Sequence, residues 1–140
     1  MVGRMIKIAD ASLAAEAAAA AVVAAAVHER IFTIDTHIDT PTASLMRDGW
    51  DFEARHDYAI DRSQCDLPRM REGGVDALVF AVYVGQLART PEGLRAAHER
   101  ARRCFERTHA VIEANASACG LALTAEDGLR LKAAGKRAIY

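Results

Sequence analysis

A histidine and an aspartate two positions apart stand at the end of an apolar stretch, in the sequence IDTHIDTP of residues 34–41. If this stretch is a β-strand, residues 35, 37 and 39 point to one face. An imidazole nitrogen and a carboxylate oxygen are ligands that zinc takes in proteins. His37 and Asp39 are therefore candidate metal ligands, while Asp35 either orients the His37 ring or is a buried acid paired elsewhere.

An isolated His-x-Asp pair is a weak signal, because a surface or hydrogen-bonded histidine is the commoner outcome when no other ligand converges on it. Neither His28-Glu29 nor His98-Glu99 is followed by the second histidine of a zinc-binding HExxH helix. No residue is predicted to be catalytic. Cys65, Cys104 and Cys119 form no CxxC pair, which favours reduced, packed thiols and a cytoplasmic protein.

Composition predicts one ordinary folded domain. The 140 residues are 51% hydrophobic and 26% charged, the mix of a soluble globular protein. The formal net charge of -1 gives no electrostatic case for nucleic acid or an acidic membrane as the partner. The expected partner is a small molecule or another protein.

The first 28 residues are rich in alanine, the best helix former. Their uncharged run, residues 17–27, is shorter than the roughly 20 residues that a membrane span needs. Arg4 and Lys7 resemble the basic start of a signal peptide, but Asp10 and Glu16 do not fit one. We expect a leading helix packed on the domain and no membrane span; the alternative is a cleaved signal and an exported protein.

Residues 29–140 alternate apolar strand patterns with helix patterns, which is typical of a parallel α/β sheet. The predicted helices begin at strong start signals: Asp66 as a cap, Thr90 before Pro91, and a Thr124 capping box closed by Asp127. The predicted strands are residues 31–36, 75–84, 121–123 and 138–140. The predicted helices are residues 66–72, a long helix from Pro91, after the Thr90 cap, to about residue 116, and a last helix that follows Thr124 and ends at Gly135.

The longest predicted helix has an apolar stripe that includes Leu94, Phe105 and Ile112, and His98 is expected to be packed on it. The predicted strands are too few to close a barrel, since an eight-stranded βα barrel takes about 250 residues. The chain therefore resembles the first part of a larger fold. An open sheet edge predicts an oligomer or association with a partner.

Three segments in order, HIDTP (37–41), CDLPRMREGGVDALVFAVYV (65–84) and AAGKRAIY (133–140), closely resemble the N-terminal part of the membrane dipeptidase family, also called renal dipeptidases. The resemblance runs from about residue 28 to residue 140. These relatives are zinc-dependent peptidases on a βα-barrel. The resemblance implies the N-terminal portion of a (β/α)8 TIM-type barrel, incomplete and preceded by the alanine-rich helix.

The resemblance also implies a chemistry. His37 and Asp39 match the family's first two metal ligands, in a site that holds two zinc ions and activates a water to hydrolyse a dipeptide. The family's bridging glutamate and two later histidines have no counterpart here, and the glutamate is expected beyond Tyr140. Two hypotheses follow: the N-terminal part of a zinc dipeptidase, inactive as this chain alone, or a non-enzymatic truncated remnant that persists through association with itself or a partner.

Overall fold

The computed structural model describes residues 2–85 and 88–140, with side chains of the first helix described from residue 12 onward. The chain divides into two compact units, Met1–Phe32 and Thr33–Tyr140. The first unit contains helix α1, Val2–Arg30. The sequence-based division, after residue 28, lies a few residues earlier.

Helix α1 contains a segment, Ser12–Arg30, with a mean hydropathy of 1.3 over its most apolar part. By length and composition alone, this segment is sufficient to cross a membrane. A signal sequence near an N-terminus and a core helix of a soluble protein meet the same criteria. The predicted absence of a membrane span therefore stays a prediction. The apolar stretch is longer than the uncharged run of residues 17–27, because further alanines lie outside that run.

The second unit consists of short strands and helices in alternation. Its elements are β1 (Ile34–Ile38), α2 (Thr40–Ala43), α3 (Tyr58–Asp61), α4 (Leu67–Glu72), β2 (Ala77–Phe80), α5 (Pro91–Ala114), β3 (Cys119–Leu121), α6 (Ala125–Ala133) and β4 (Arg137–Ile139).

The four strands form one parallel sheet in the order β1-β2-β4-β3. This arrangement confirms the predicted α/β class. Because all strands are parallel, their carboxyl ends lie along the same side of the sheet, where α/β folds place their ligands. Strands β1 and β3 are the outer strands of the described sheet, and every residue of β1 except Ile38 is exposed.

The core lies between β2, β4 and the segment that joins α2 to β2. Phe52 comes from that segment, is 1% exposed, and contacts Phe80 of β2 edge to face at 5.7 Å between ring centroids. Leu67 and Ile139 are fully buried beside them. The irregular segment is therefore anchored by burial of its own apolar side chain.

Three helix starts lie where local sequence signals predict them. The Asp66 side chain accepts from Arg69 N, the Thr90 side chain accepts from Gly93 N, and Thr124 and Asp127 form a complete capping box. Each cap satisfies backbone donors that the first helical turn leaves without partners. These signals act over three residues, which explains why sequence alone locates them.

The strands differ in extent from their predicted ranges. Strand β2 covers Ala77–Phe80 rather than residues 75–84, and its last pairing with β1 joins Phe80 to Ile38, the final residue of β1. Strand β3 begins at Cys119, two residues before the predicted piece. Pairing partners, which the local sequence does not contain, set these boundaries.

Helix α5 packs by a face that matches only part of the predicted apolar stripe, which included Ile112. Its buried residues are Cys104, Thr108 and Ile112, whereas Leu94 is 64% exposed and Phe105 is 54% exposed. His98 is also exposed, so the expectation of a packed histidine was wrong. Helical spacing fits both faces, and contacts with β3 and α2 select the Cys104 face.

A buried carboxylate ties the amino-terminal ends of the strands together. Asp76 is 4% exposed and accepts hydrogen bonds from Thr33 N at 2.9 Å and from Lys132 Nζ at 2.7 Å. Arg137 at the start of β4 lies 3.6 Å from the same carboxylate. Asp76 therefore joins the approach to β1, helix α6 and strand β4.

Candidate metal centre

His37 lies near the carboxyl end of β1, where the strand is irregular. The register pairs Asp35 with Leu78 and Ile38 with Phe80, so β1 has one more residue than β2 between these two positions. The extra residue falls in the Thr36–His37 step. An extra residue of this kind bends a strand and redirects its side chains, and such bulges are common next to active sites.

Asp39 lies outside the strand and is the N-cap residue of α2. Aspartate at this position normally accepts a hydrogen bond from the backbone of the first helical turn. Here the Asp39 side chain makes no capping hydrogen bond, although its carbonyl oxygen accepts from Ala43 N at 2.8 Å. The carboxylate is therefore not engaged in stabilising its own helix.

The two predicted ligands meet in space. His37 Nε2 lies 3.3 Å from Asp39 Oδ1, and the two side chains are 66% and 58% exposed. Two ligands of one tetrahedral zinc, each bound at about 2.0–2.2 Å, lie roughly 3.4 Å apart. The observed separation fits that arrangement. It also fits an exposed hydrogen bond between the two groups, which would contribute little to stability.

The route by which they meet differs from the predicted one. Strand alternation was expected to place residues 35, 37 and 39 on one face, but β1 ends at Ile38 and the chain turns into α2 at Asp39. Asp35 accepts a hydrogen bond from the backbone N–H of His37 at 2.9 Å. It is exposed and contacts the main chain of His37 rather than its ring, so neither role predicted for Asp35 is observed.

Within residues 2–85 and 88–140, no group of three or more histidine, cysteine, aspartate or glutamate side chains is arranged to hold a metal ion. His37 and Asp39 therefore fit two positions of a zinc site and no more. The carboxyl ends of β2 and β4 border the same side of the sheet, and the described residues there add no ligand to the pair.

The cysteines do not serve as ligands in this arrangement. All three are buried, and burial raises the pKa of the Cys65 and Cys119 thiols to about 11. Burial also raises the pKa of Cys104. Because the thiolate is the form that binds metals, these protonated side chains behave as small apolar groups.

One polar cluster was missed by sequence reasoning, which assigned no pattern to His56. The His56 ring stacks on Trp50 at 4.7 Å between ring centroids and lies 2.5 Å from Asp61. The cluster depends on the turn at Arg62, which has a left-handed conformation with φ of 62°. No short motif marks such a turn when the residue is arginine.

Comparison with known proteins identifies a family whose match begins within helix α1 and covers the whole of the second unit. The family model described as membrane dipeptidase (Peptidase family M19) matches residues 22–140. No curated protein matches the chain by sequence.

A crystal structure of the probable dipeptidase PvdM from Pseudomonas aeruginosa is similar, with a TM-score of 0.64 and 22% sequence identity. The likeness covers 83% of this chain and 28% of that one, and it supports the fold: a parallel α/β arrangement matching part of a TIM-barrel dipeptidase. Because the family model matches most of its length, the chain belongs to the membrane dipeptidase family, Peptidase family M19.

Proposed function

We propose that this chain supplies the His37–Asp39 half of the metal site of a zinc-dependent dipeptidase. The observation that carries the proposal is the approach of His37 Nε2 to Asp39 Oδ1, 3.3 Å apart at the carboxyl side of the parallel sheet. Asp39 contributes a carboxylate that does not cap its own helix. Membership of the dipeptidase family supports a dipeptide as the substrate.

In this role the chain's own residues would bind the metal and hold its ligands in position. His37 would bind through a neutral ring nitrogen and Asp39 through an ionised oxygen. When zinc is bound in the complete site, it supplies a water made nucleophilic at neutral pH and polarises the scissile carbonyl. The Asp35 carboxylate, bonded to the His37 backbone, fixes the main chain that presents the ring.

The 140-residue chain is not expected to hydrolyse dipeptides by itself. A catalytic zinc site normally has three protein ligands, and the described residues supply two in one place. The chain also spans only 28% of the length of the PvdM structure. Activity therefore requires ligands from polypeptide that the described residues do not include.

Zinc titration tests the proposal. We expect weak, reversible zinc binding, seen by NMR as shifts of the His37 ring signals, and no stoichiometric zinc by elemental analysis after dialysis. His37→Ala should abolish the weak binding, whereas His98→Ala, a change to an exposed histidine on α5, should leave it unaltered.

Two results would count against the proposal. Zinc binding that is identical in wild type and His37→Ala would remove His37 as a ligand. Dipeptide hydrolysis by the purified chain that survives His37→Ala would place the chemistry elsewhere.

The exposed edge of the sheet supports a second candidate, a non-enzymatic chain that persists through association. Among the strands of residues 2–85 and 88–140, β1 has a neighbour on one side only, and Ile34 at its start is 43% exposed. An unpaired strand edge favours pairing with another chain. Sedimentation equilibrium of the zinc-free chain tests this candidate, since a monomer across the accessible concentration range would contradict it.

A further inference from the structure

The segment between α2 and α4 contains a histidine whose surroundings differ from those of a surface side chain. The His56 side chain is 14% exposed, and its ring lies nearly parallel to the Trp50 indole, at 11° and 4.7 Å between centroids. Trp50 Nε1 in turn donates to Ser63 Oγ at 2.8 Å. Stacking and hydrogen bonding together fix the plane in which the ring lies.

Both nitrogens of that ring face oxygen atoms. Nδ1 lies 2.5 Å from Asp61 Oδ2, and Nε2 lies 2.7 Å from the Asp51 carbonyl oxygen. A carbonyl oxygen only accepts, so Nε2 must hold a proton. A second proton must lie between Nδ1 and the carboxylate, because two bare acceptors at that distance repel each other.

The second proton belongs to the ring. Asp61 Oδ1 accepts from Ser63 N at 2.8 Å, and this hydrogen bond, with others from the Ser63 hydroxyl and His56, holds the pKa of Asp61 below its ordinary value. A carboxylate that is kept ionised takes the acceptor role on its other oxygen as well. The ring is then an imidazolium that donates from both nitrogens.

The carboxylate bonded to the ring favours this form, and the other charged groups around the ring are paired with one another or with the main chain. Besides Asp61, the buried Asp66 carboxylate accepts from His56 N at 2.9 Å and is shared with Arg69 Nε at 2.7 Å. Arg47 Nη1 donates to the Asp61 carbonyl at 2.5 Å. The neighbouring Arg55 side chain is directed to Glu72 at 3.0 Å, so that cation is paired with a separate anion.

The cluster closes the segment around the core. Residues 51–57 have no helix or strand of their own, yet they place Phe52 in the apolar core, and the Phe52 carbonyl accepts from Leu67 N at 2.9 Å. The ring joins the two ends of this stretch, because it bonds to Asp51 on one side and to Asp61 of α3 on the other. Loss of either ring proton removes one of these connections.

We propose that the His56 imidazolium is a pH-sensitive latch that holds the segment from Trp50 to Asp66 closed over the core. The closed form binds one more proton than the open form. It is therefore favoured at low pH, where both ring nitrogens carry a proton, and it loses one of its two ring hydrogen bonds when the ring gives up a proton at higher pH, opposite to the behaviour of a carboxylate-stabilised structure. The latch does not depend on zinc or on the role of His37.

Amide hydrogen exchange tests the latch in the full chain. The probes are the Leu67 and His56 amides, which are bonded to Phe52 O and Asp66 Oδ2. The quantity compared is the protection factor of each amide, because it corrects the observed rate for the intrinsic pH dependence of exchange. Over the pH range in which opening releases one proton, protection should fall by up to about tenfold per pH unit.

The matched variants are His56→Gln, which cannot titrate, and His98→Gln, which changes an exposed histidine outside the cluster. The pH slope should disappear in the first and persist in the second. Emission of Trp50, the single tryptophan of the chain, should show the same pH dependence in wild type and lose it in His56→Gln.

An unchanged slope in His56→Gln would overturn the latch. So would ring nitrogen shifts showing a neutral His56 in the folded wild-type chain at about pH 6, where an unconstrained imidazole is still largely protonated. If His56→Gln does not fold, the wild-type ring nitrogen shifts decide the question alone.

Discussion

At the scale of single residues, the structure contrasts two kinds of acidic side chain. Asp39 is exposed, leaves its helix uncapped and contacts His37. Asp76 is buried, fully engaged, and placed at the amino-terminal side of the sheet. In parallel α/β folds, the carboxyl side is where ligands bind and the opposite side serves stability. The two aspartates follow this division.

We expect Asp76→Asn to lower the free energy of unfolding by about 3 kcal/mol, as removal of one partner from a buried ion pair typically does. The change removes the anion to which Lys132 and Arg137 are directed. Chemical denaturation monitored by circular dichroism measures the effect. The control is Asp48→Asn. That carboxylate is fully exposed and makes a long contact, 3.5 Å, with Arg107, so the change in the free energy of unfolding should lie within measurement error.

Asp76 also predicts how stability depends on pH. Burial by itself raises its pKa, but hydrogen bonds from Lys132 and Thr33 outweigh burial and hold the pKa below its ordinary value. A lowered pKa in the folded state stabilises the fold above about pH 4, the value for an unfolded aspartate, and the contribution is lost as pH falls further. In Asp76→Asn, the free energy of unfolding should fall less steeply as pH decreases below about 4. The same dependence on pH in wild type and variant would contradict this assignment.

At the scale of elements, the capping box of α6 is the clearest local device. Thr124→Ala removes the side chain that accepts from Asp127 N at 3.2 Å, and we expect a loss of about 1 kcal/mol in the free energy of unfolding. Thr124→Ser keeps the hydroxyl and should retain most of the stability. Equal losses in the two variants would show that packing of the methyl group, rather than capping, is responsible.

The elements also show how far sequence reasoning reaches. The caps at Asp66, Thr90 and Thr124 depend on residues three positions apart, and all were predicted. The ends of β2 and the buried face of α5 depend on neighbours distant in the sequence; the first were predicted incorrectly and the second only in part, since Ile112 is buried but Leu94 and Phe105 are exposed. The His37–Asp39 pair was predicted to be close, but the reason was wrong because a strand irregularity and a helix start replace simple alternation.

At the scale of the whole molecule, the described sheet has two outer strands, and one of them, β1, carries His37 and leads directly into Asp39. The probable dipeptidase PvdM, whose likeness covers 83% of this chain, is more than three times the length of the matched part. In a larger protein of this fold, polypeptide would be available to pair with β1. In the described residues, the outer side of β1 has no strand beside it.

We expect the open side of β1 to drive concentration-dependent association, and Ile34→Lys to reduce it. A lysine on an edge strand disfavours pairing with another chain because the added chain would remove water from around the charge. Sedimentation velocity at several concentrations measures the change. Ile60→Lys, at an 84% exposed position on α3, is the matched control. Equal reductions in the two variants would indicate that general hydrophobicity, not the strand edge, causes association.

The additional residue in β1 makes the spacing of the chain as important as its side chains. Deletion of Thr36, which removes the additional residue and keeps His37, would restore regular pairing with β2 and turn the imidazole toward the opposite surface. Every ligand would still be present in such a chain, yet the two groups would no longer converge. For this pair, an insertion or deletion too small to alter composition is as damaging as replacing the histidine.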